Sequence, residues 1–277
     1  MDDYHYKALQ NLTRARFFTV QNLTREKQRL MNVLFKKYSS LAQEKVFANT
    51  FGATALAVYE TFDSADTLAY MDLHELTAFL KEKGKNHFSD PEAVANAIQK
   101  AARSSYRLPK TVNDSVNQVL SISISSMKAL GSQIKEFDKA IAAQMQLIPN
   151  TLSSIKGIGP VYSAGIIAEI GNINRFPNQA KLAKYAGLAW RQHQSGNFES
   201  QNTRLIKTGN RFLKYYLGEA AMSLVRCDTE YSRFYHLKYN EVNKYQHKRA
   251  LALTARKLVR LVFRLLKDNR LYIPPKA

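Results

Sequence analysis

The chain has 277 residues, of which 45% are hydrophobic and 23% are charged, a composition typical of a globular protein rather than of a disordered segment. Its net charge is +19, from 41 basic and 22 acidic residues, and predicts a polyanionic or acidic partner. One cysteine excludes an internal disulfide and a multi-thiolate zinc site, and without an apolar stretch of membrane-spanning length or a signal-like start we expect a cytoplasmic protein that makes no membrane contact.

The basic excess is concentrated in the second part of the chain. Residues 146–277 contain 22 basic and 7 acidic residues, so they carry +15 of the net charge. Because binding to a phosphate backbone grows with the number of cations on one surface, we place the polyanion contact in this part. We interpret residues 1–145 as a helical linker and dimerisation region, and residues 146–277 as a separate C-terminal domain.

The first part is predicted to be helical. One long helix is expected from Tyr4 to about Ala48, because this segment has no proline or glycine and its leucines recur at helical spacing. Short helices are expected over residues 52–85. A further helix is predicted to begin near Pro91, with Ser89 or Asp90 as its cap, and to end near Ser104.

A second long helix is expected from Val116 to just before Pro149, where we place the main domain boundary. Both long helices could be plain bundle core or could mediate self-association through a coiled coil, and the sequence leaves these alternatives open. The fold class is therefore mainly α.

Residues 152–173, LSSIKGIGPVYSAGIIAEIGNI, predict two short helical pieces around a Gly157-Ile158-Gly159 turn. Glycines allow a tight turn with outward amides, and Pro160 opens a helix whose N-terminus suits a phosphate, with Lys156 beside it. We interpret this pattern as a helix-hairpin-helix DNA-backbone motif. The alternative is a tight turn between helices that binds no ligand.

The segment from Trp190 to Thr203 is too polar for core and is predicted to form an exposed loop or a short hairpin. It contains Ser195, a candidate nucleophile, and His193, a candidate base, although His193 could equally hydrogen-bond DNA or water. Cations near a scissile phosphodiester stabilise the charge that develops on it. The predicted catalytic-support and DNA-binding cations around this loop are Arg191, Arg204, Lys207, Arg211 and Lys214. Gly209 is also predicted to contact DNA, in the turn that leads into a helix from Phe212 to about Arg226.

A last amphipathic helix is predicted from about Lys248 to Asp268. Arg256, Arg260 and Arg264 form a basic ridge opposite its leucine-rich stripe, and we interpret the ridge as a DNA contact, with a solvated charged face as the alternative. Aromatic residues upstream, such as Tyr231, Tyr235 and Tyr245, could stack on bases but at this spacing are more often core.

Three segments in this order, IKGIGPVYSAGIIAEIGNINRF, LAKYAGLAWRQHQSGNF and IKTGNRFLKYYLGEAA, give the chain a family resemblance. It resembles the C-terminal domain of insertion-sequence transposases related to the Piv/MooV DNA invertases, the bridge-RNA-guided recombinases of the IS-one-ten family. The resemblance is specific over about residues 145–240. It implies a DNA recombinase in which Ser195 attacks the scissile phosphate and becomes covalently linked to DNA.

The resemblance also implies partners that lie outside this segment. In that family a separate N-terminal RuvC-like domain supplies an acidic cluster that binds magnesium, and a guide RNA and a homo-oligomer are expected. Here the first residues match the segment that follows the acidic domain, and Asp2 and Asp3 cannot replace it. We therefore expect no metal site and no cofactor within the chain itself.

Two positions depart from the family pattern, since Trp190 stands where proline is usual and Lys214 where arginine is usual. The leading hypothesis is a transposase or recombinase fragment that is inactive alone. The alternative is a non-catalytic nucleic-acid-binding protein that regulates a mobile element.

Overall fold

The computed structural model describes residues 3–44, 46–191, 194–195, 198–199 and 204–273. Helices dominate this part of the chain, which confirms the mainly α fold class. The α-helices are α1 (Asp3–Lys37), α2 (Ser39–Gln43), α3 (Ala53–Thr61), α4 (Ala65–Tyr70), α5 (Leu73–Lys83), α6 (Pro91–Arg103), α7 (Lys110–Met145), α8 (Pro160–Ile170), α9 (Gln179–Tyr185), α10 (Arg211–Cys227), α11 (Thr229–Asn240) and α12 (Gln246–Asp268). A two-stranded hairpin joins β1 (Gln194–Ser195) to β2 (Phe198–Glu199). None of the described helices is both long and apolar enough to cross a membrane.

The chain divides into two compact units. The terminal unit comprises Met1–Phe17 and Lys135–Ala277, and the central unit comprises Phe18–Ile134. This division differs from the boundary predicted between residues 145 and 146, because α1 and α7 each contribute residues to both units.

The first long helix ends earlier than predicted. Helix α1 stops at Lys37 rather than near Ala48, because Tyr38 leaves the helical conformation, with φ −136° and ψ 70°. The ring of Tyr38 is fully buried, and its hydroxyl donates a hydrogen bond to the carbonyl oxygen of Phe62. Burial of this side chain in the central unit therefore overrides the local preference for helix.

Other helix predictions are confirmed within a few residues. The short helices expected over residues 52–85 are α3 to α5, and α6 begins after Asp90, whose carboxylate accepts from the Ala93 amide. Helix α7 begins at Lys110, six residues before the predicted start, and α10 and α12 match their predicted ranges.

Each unit has its own hydrophobic core. In the central unit, side chains from α1, α3, α5, α6 and α7 are buried together, including Leu34, Tyr59, Leu76, Ile98 and Leu120. In the terminal unit, the start of α1 packs with α8, α10 and α12, and the buried side chains include Leu9, Ile166, Leu217, Leu258 and Val262.

Candidate nucleic-acid interface

The turn before α8 is built around Gly157. A single 3-10 turn, Leu152–Ser154, precedes it, so the first flanking piece is much shorter than a helix. Gly157 has φ +100°, and a Cβ atom at this position would lie 3.1 Å from the Cβ of Cys227 at the end of α10. The glycine is therefore required by the fold, both for its conformation and for its close packing.

Gly159 differs from Gly157 in this respect. It is the N-cap of α8 with φ −72°, and a Cβ there would meet nothing within 4 Å. Pro160 occupies the first turn of α8 as expected, and Gly171 ends the helix with φ +62°. Lys156 is exposed beside this turn. The helix-hairpin-helix assignment itself stays a prediction.

The hairpin β1–β2 lies within the segment predicted to form a loop or a short hairpin. Its antiparallel register places Ser195 opposite Phe198. The predicted base His193 lies outside the described residues, and so does the side chain of Ser195. The strand pairing supports the short-hairpin alternative of the prediction.

Two further backbone hydrogen bonds close the base of this hairpin. The amide of Arg191 donates to the carbonyl of Arg204 at 2.9 Å, and the amide of Ile206 donates to the carbonyl of Ala189 at 2.9 Å. Both arginine side chains are exposed. The structure thus brings together two of the cations that the sequence predicted near Ser195.

The turn after the hairpin base is held against the end of α9. Gly209, with φ +122°, contacts the backbone of Gly187, and the Asn210 amide donates to the Tyr185 carbonyl at 2.7 Å. Asn210 then caps α10, because its Oδ1 accepts from the amides of Phe212 and Leu213 at 3.0 Å each. Gly209 was predicted to bind DNA, and the structure gives it a folding role as well.

A buried carboxylate lies beneath this turn. The Glu169 side chain is 0% exposed and accepts a bidentate pair from Arg14, at 2.7 and 2.8 Å, and a bond from Gln10 at 3.2 Å. Asn210 Nδ2 donates to the same carboxylate at 2.7 Å and to the Tyr185 hydroxyl at 3.1 Å. The hydrogen bond to Glu169 raises the pKa of the Arg14 guanidinium above its usual value.

The other predicted cations near α10 occupy different environments. Lys207 and Arg211 are exposed, whereas Lys214 is half-buried. The guanidinium carbons of Arg14 and Arg211 lie 4.5 and 4.7 Å from the ring centroid of Phe212, so both cations contact the same aromatic ring.

The predicted basic ridge on α12 is only partly available to a ligand. Arg256 is half-buried and donates to the Gln179 carbonyl at 3.2 Å, and burial lowers its pKa. Arg260 is exposed, and Arg264 is 81% exposed beside Asp268 at 3.5 Å. Of the aromatic residues upstream, Tyr231 and Tyr235 are buried in the core, whereas Tyr245 is exposed.

Among the described residues, no group of three or more histidine, cysteine, aspartate or glutamate side chains is arranged to hold a metal ion. These residues therefore do not fit a magnesium site, which the family resemblance places in a separate domain.

Sequence reasoning missed Glu169, Asn210 and Arg14. Asn210 carried a usable signal, since an asparagine directly before a helix is a preferred N-cap. Glu169 stands in an otherwise apolar run, and its partner Arg14 lies 155 residues away in the chain. Local pattern could not connect the two.

Comparison with known proteins finds that this region is similar to insertion-element proteins. Residues 150–236 match the family model described as Transposase IS116/IS110/IS902 family. The chain is 25% identical over 264 residues to the Insertion element IS116 uncharacterized 44.8 kDa protein of Streptomyces clavuligerus, covering 91% of this chain and 63% of that protein.

Two further relatives match shorter stretches. The Insertion element IS110 uncharacterized 43.6 kDa protein of Streptomyces coelicolor is 30% identical over 150 residues, which are 53% of this chain and 36% of that protein. The Transposase for insertion sequence element IS1111A of Coxiella burnetii is 35% identical over 75 residues, which are 27% of this chain and 20% of that protein. The chain spans less than two thirds of the length of these relatives.

Proposed function

We propose that the chain is a DNA-binding part of a transposase of the IS110/IS116 type and that Ser195 is its nucleophile. The observation that carries the proposal is the match of residues 150–236 to the transposase family, because this range includes the turn at Gly157, the hairpin with Ser195 and the capped start of α10. These three elements are packed in one compact unit that also holds most of the excess positive charge.

The DNA contact is electrostatic in this proposal. Lys156, Lys207 and Arg211 are exposed cations in the matched range, and each would neutralise one phosphate of the backbone. Arg260 and Arg264 extend the same sign of charge along α12. Such contacts fix the position of a duplex without reading its sequence, so they do not identify the target site.

The chemistry is a transesterification. The Ser195 Oγ forms a bond to the phosphorus of a scissile phosphodiester, and the bond from that phosphorus to one deoxyribose oxygen breaks. His193 would accept the serine proton, and the released deoxyribose oxygen takes up a proton. Arg191 and Arg204, joined through their backbones at the hairpin base, would stabilise the charge on the phosphate oxygens. The phosphoserine link conserves the ester for rejoining.

The proposal includes further components beside the residues described here. An acidic RuvC-like domain is one of them, and in this proposal it would carry the magnesium site. A guide RNA and a second copy of the chain are further proposed partners, in a cytoplasmic and nucleoid-associated setting. We therefore expect the chain alone to bind DNA without cleaving it.

The test is to trap the covalent intermediate. The chain is incubated with element-end DNA and magnesium, with and without an added acidic domain and guide RNA, and adducts that resist denaturation are resolved on a gel. We expect an adduct only with the added components, and we expect Ser195→Ala to abolish it.

A neighbouring serine in the same segment provides the matched control. Ser200→Ala removes one hydroxyl five residues away and should leave the adduct unchanged. Loss of the adduct in both variants would contradict the assignment of Ser195. Salt-sensitive DNA binding without any adduct would favour a non-catalytic nucleic-acid-binding protein, and an adduct formed by the chain alone would contradict its inactivity.

A further inference from the structure

Glu169 keeps a charge in the interior of the terminal unit. Its carboxylate is removed from water, which is costly for a charged group unless partners replace the lost solvation. Four hydrogen bonds from Arg14, Gln10 and Asn210 supply that replacement. An apolar side chain could fill the same space without such partners, so the carboxylate calls for a role other than filling the core.

The Glu169 carboxylate selects the orientation of the Asn210 side-chain amide. The two Nδ2 hydrogens of Asn210 are used by Glu169 and Tyr185, so Oδ1 faces the amides of Phe212 and Leu213. A carboxylate only accepts hydrogen bonds, and the reversed amide would set Oδ1 against it. Glu169 therefore favours the one orientation of Asn210 in which α10 is capped.

Asn210 leads directly to the hairpin. The preceding residue, Gly209, contacts Gly187, and the amide of Ile206 is bonded to Ala189. The next backbone hydrogen bond joins the amide of Arg191 to the carbonyl of Arg204. Arg191 lies three residues before the start of β1. A continuous set of described contacts thus joins the buried carboxylate to the base of the strand pair that contains Ser195.

We infer that Glu169 is a positioning residue whose carboxylate, through Asn210, sets the placement of the hairpin base, residues 189–191 and 204–206, relative to the start of α10. The inference rests on the proposed function only for what the hairpin does. The contacts themselves predict a local effect that is measurable without nucleic acid.

The test is amide hydrogen exchange on the full chain. Glu169→Gln keeps the shape of the side chain and removes its charge, and it should speed exchange at the amides of Arg191, Ile206 and Asn210 at least about tenfold, the effect of losing one charge-assisted hydrogen bond. Amides inside α12 should change less than about threefold. A purely structural role would instead speed exchange throughout the terminal unit.

Asp138→Asn is the matched control, because it removes the charge of another carboxylate that pairs with an α1 arginine, Arg16, at 2.5 Å. It should leave exchange at the hairpin base unchanged. Equal exchange at the hairpin base in the Glu169→Gln and Asp138→Asn variants would overturn the inference.

A double substitution at positions 169 and 210 should rescue the slow exchange at the hairpin base. Asn210→Asp alone sets two carboxylates against each other and should also speed exchange at the hairpin base at least about tenfold. Adding Glu169→Gln places a side-chain amide, which can donate, opposite the new carboxylate at position 210. Exchange at the hairpin base in the double variant should therefore return to within about threefold of the native rate. A double variant as fast as Asn210→Asp alone overturns the inference.

The role of Glu169 can be tested even if one variant does not fold, and separately from the role of Ser195. If Glu169→Gln alone does not fold, folding of the double variant supports the positioning role and its failure to fold overturns it. Failure of the adduct assay contradicts the role of Ser195 and leaves the exchange result intact, whereas unchanged exchange with a normal adduct contradicts the role of Glu169 alone.

Discussion

Gly209 and Gly187 approach each other so closely that neither has room for a side chain. A Cβ at Gly209 would lie 2.6 Å from both the Cα and the nitrogen of Gly187, and a Cβ at Gly187 would lie 2.9 Å from the carbonyl oxygen of Thr208. Both residues have positive φ, of 122° and 70°. The path of the chain at the hairpin base therefore depends on two glycines, one in the turn after α9 and one in the turn before α10.

Gly209→Ala should lower the free energy of unfolding by at least about 2 kcal/mol, because it adds backbone strain to a clash with rigid backbone atoms. Urea denaturation measures this change. The matched control is Gly218→Ala within α10, where a Cβ meets nothing within 4 Å and should stabilise by about 0.5–1 kcal/mol. Equal stability of the two variants would contradict the close approach.

The two glycines of the turn before α8 should respond differently to alanine. Gly157→Ala is strained at φ +100° and presses on Cys227, so it should destabilise the fold by about 1–3 kcal/mol. Gly159→Ala meets open space and should change stability by less than about 1 kcal/mol.

Because the fold does not require glycine at position 159, this residue tests the phosphate-binding assignment. If a phosphate approaches the backbone there, Gly159→Ala should weaken DNA binding about tenfold at fixed salt, since the added methyl group would hold the phosphate away from the backbone amides and cost about one hydrogen bond. Fluorescence anisotropy with labelled duplex measures the affinity. Unchanged affinity would favour the alternative of a turn that binds no ligand.

Two arginines of α12 should contribute to DNA binding, whereas the third should contribute to folding stability. Arg260→Gln and Arg264→Gln should each reduce the slope of log affinity against log salt by about 0.9, the contribution of one phosphate contact. Lys139→Gln removes an exposed cation of the same unit that pairs with Glu136, and should leave the slope unchanged. A slope unaffected by either arginine would contradict the basic ridge.

Arg256→Gln should act on folding instead. The residue is half-buried and donates to the Gln179 carbonyl, so its replacement should cost about 1 kcal/mol of unfolding free energy. Urea denaturation at low salt measures it, and an unchanged midpoint would contradict the structural role.

Lys37 should make the stability of the central unit depend on pH. Burial lowers the pKa of its amine from 10.5 to about 8, and the amine donates to the Tyr59 carbonyl at 2.9 Å. Between these two values the unfolded chain binds more protons than the folded chain, so the free energy of unfolding rises with pH. We expect a gain of about 2 kcal/mol between pH 8 and pH 10.

Urea denaturation at pH 8 and pH 9.5 tests this dependence. Lys37→Met should abolish the rise, whereas Lys36→Met, at an exposed neighbour, should preserve it. Above about pH 10 the trend should reverse, because burial raises the pKa of Tyr38 and Tyr59 and the unfolded chain loses their protons first. A rise that persists in Lys37→Met would assign it to another group.

Much of the helical pattern could be predicted because its causes are local. The cap at Asp90, the proline that opens α8 and the stripe of α12 act over a few residues and lie where expected. The early end of α1 could not be predicted, since it depends on burial of Tyr38 near Phe62 in the folded unit. Glu169 was missed for the same reason, because its structural role depends on hydrogen bonds from Arg14 and Asn210, which are distant in the chain.

The candidate site was predictable in its residue types more than in its arrangement. Clustered cations pointed to Arg191 and Arg204, and the structure pairs their backbones. The same reasoning gave Arg256 the same role as Arg260, although only the fold distinguishes a cation that bonds to a carbonyl from one that faces solvent.

The packing of Gly157 against Cys227 gives the protein a natural reporter position. Cys227 is the only cysteine in the sequence and is exposed, so a maleimide dye attaches at one place without any substitution. That place is the residue against which the turn before α8 packs. The emission of such a dye would follow duplex arriving at this turn in real time, and a bulky label would act there as a site-directed blocker.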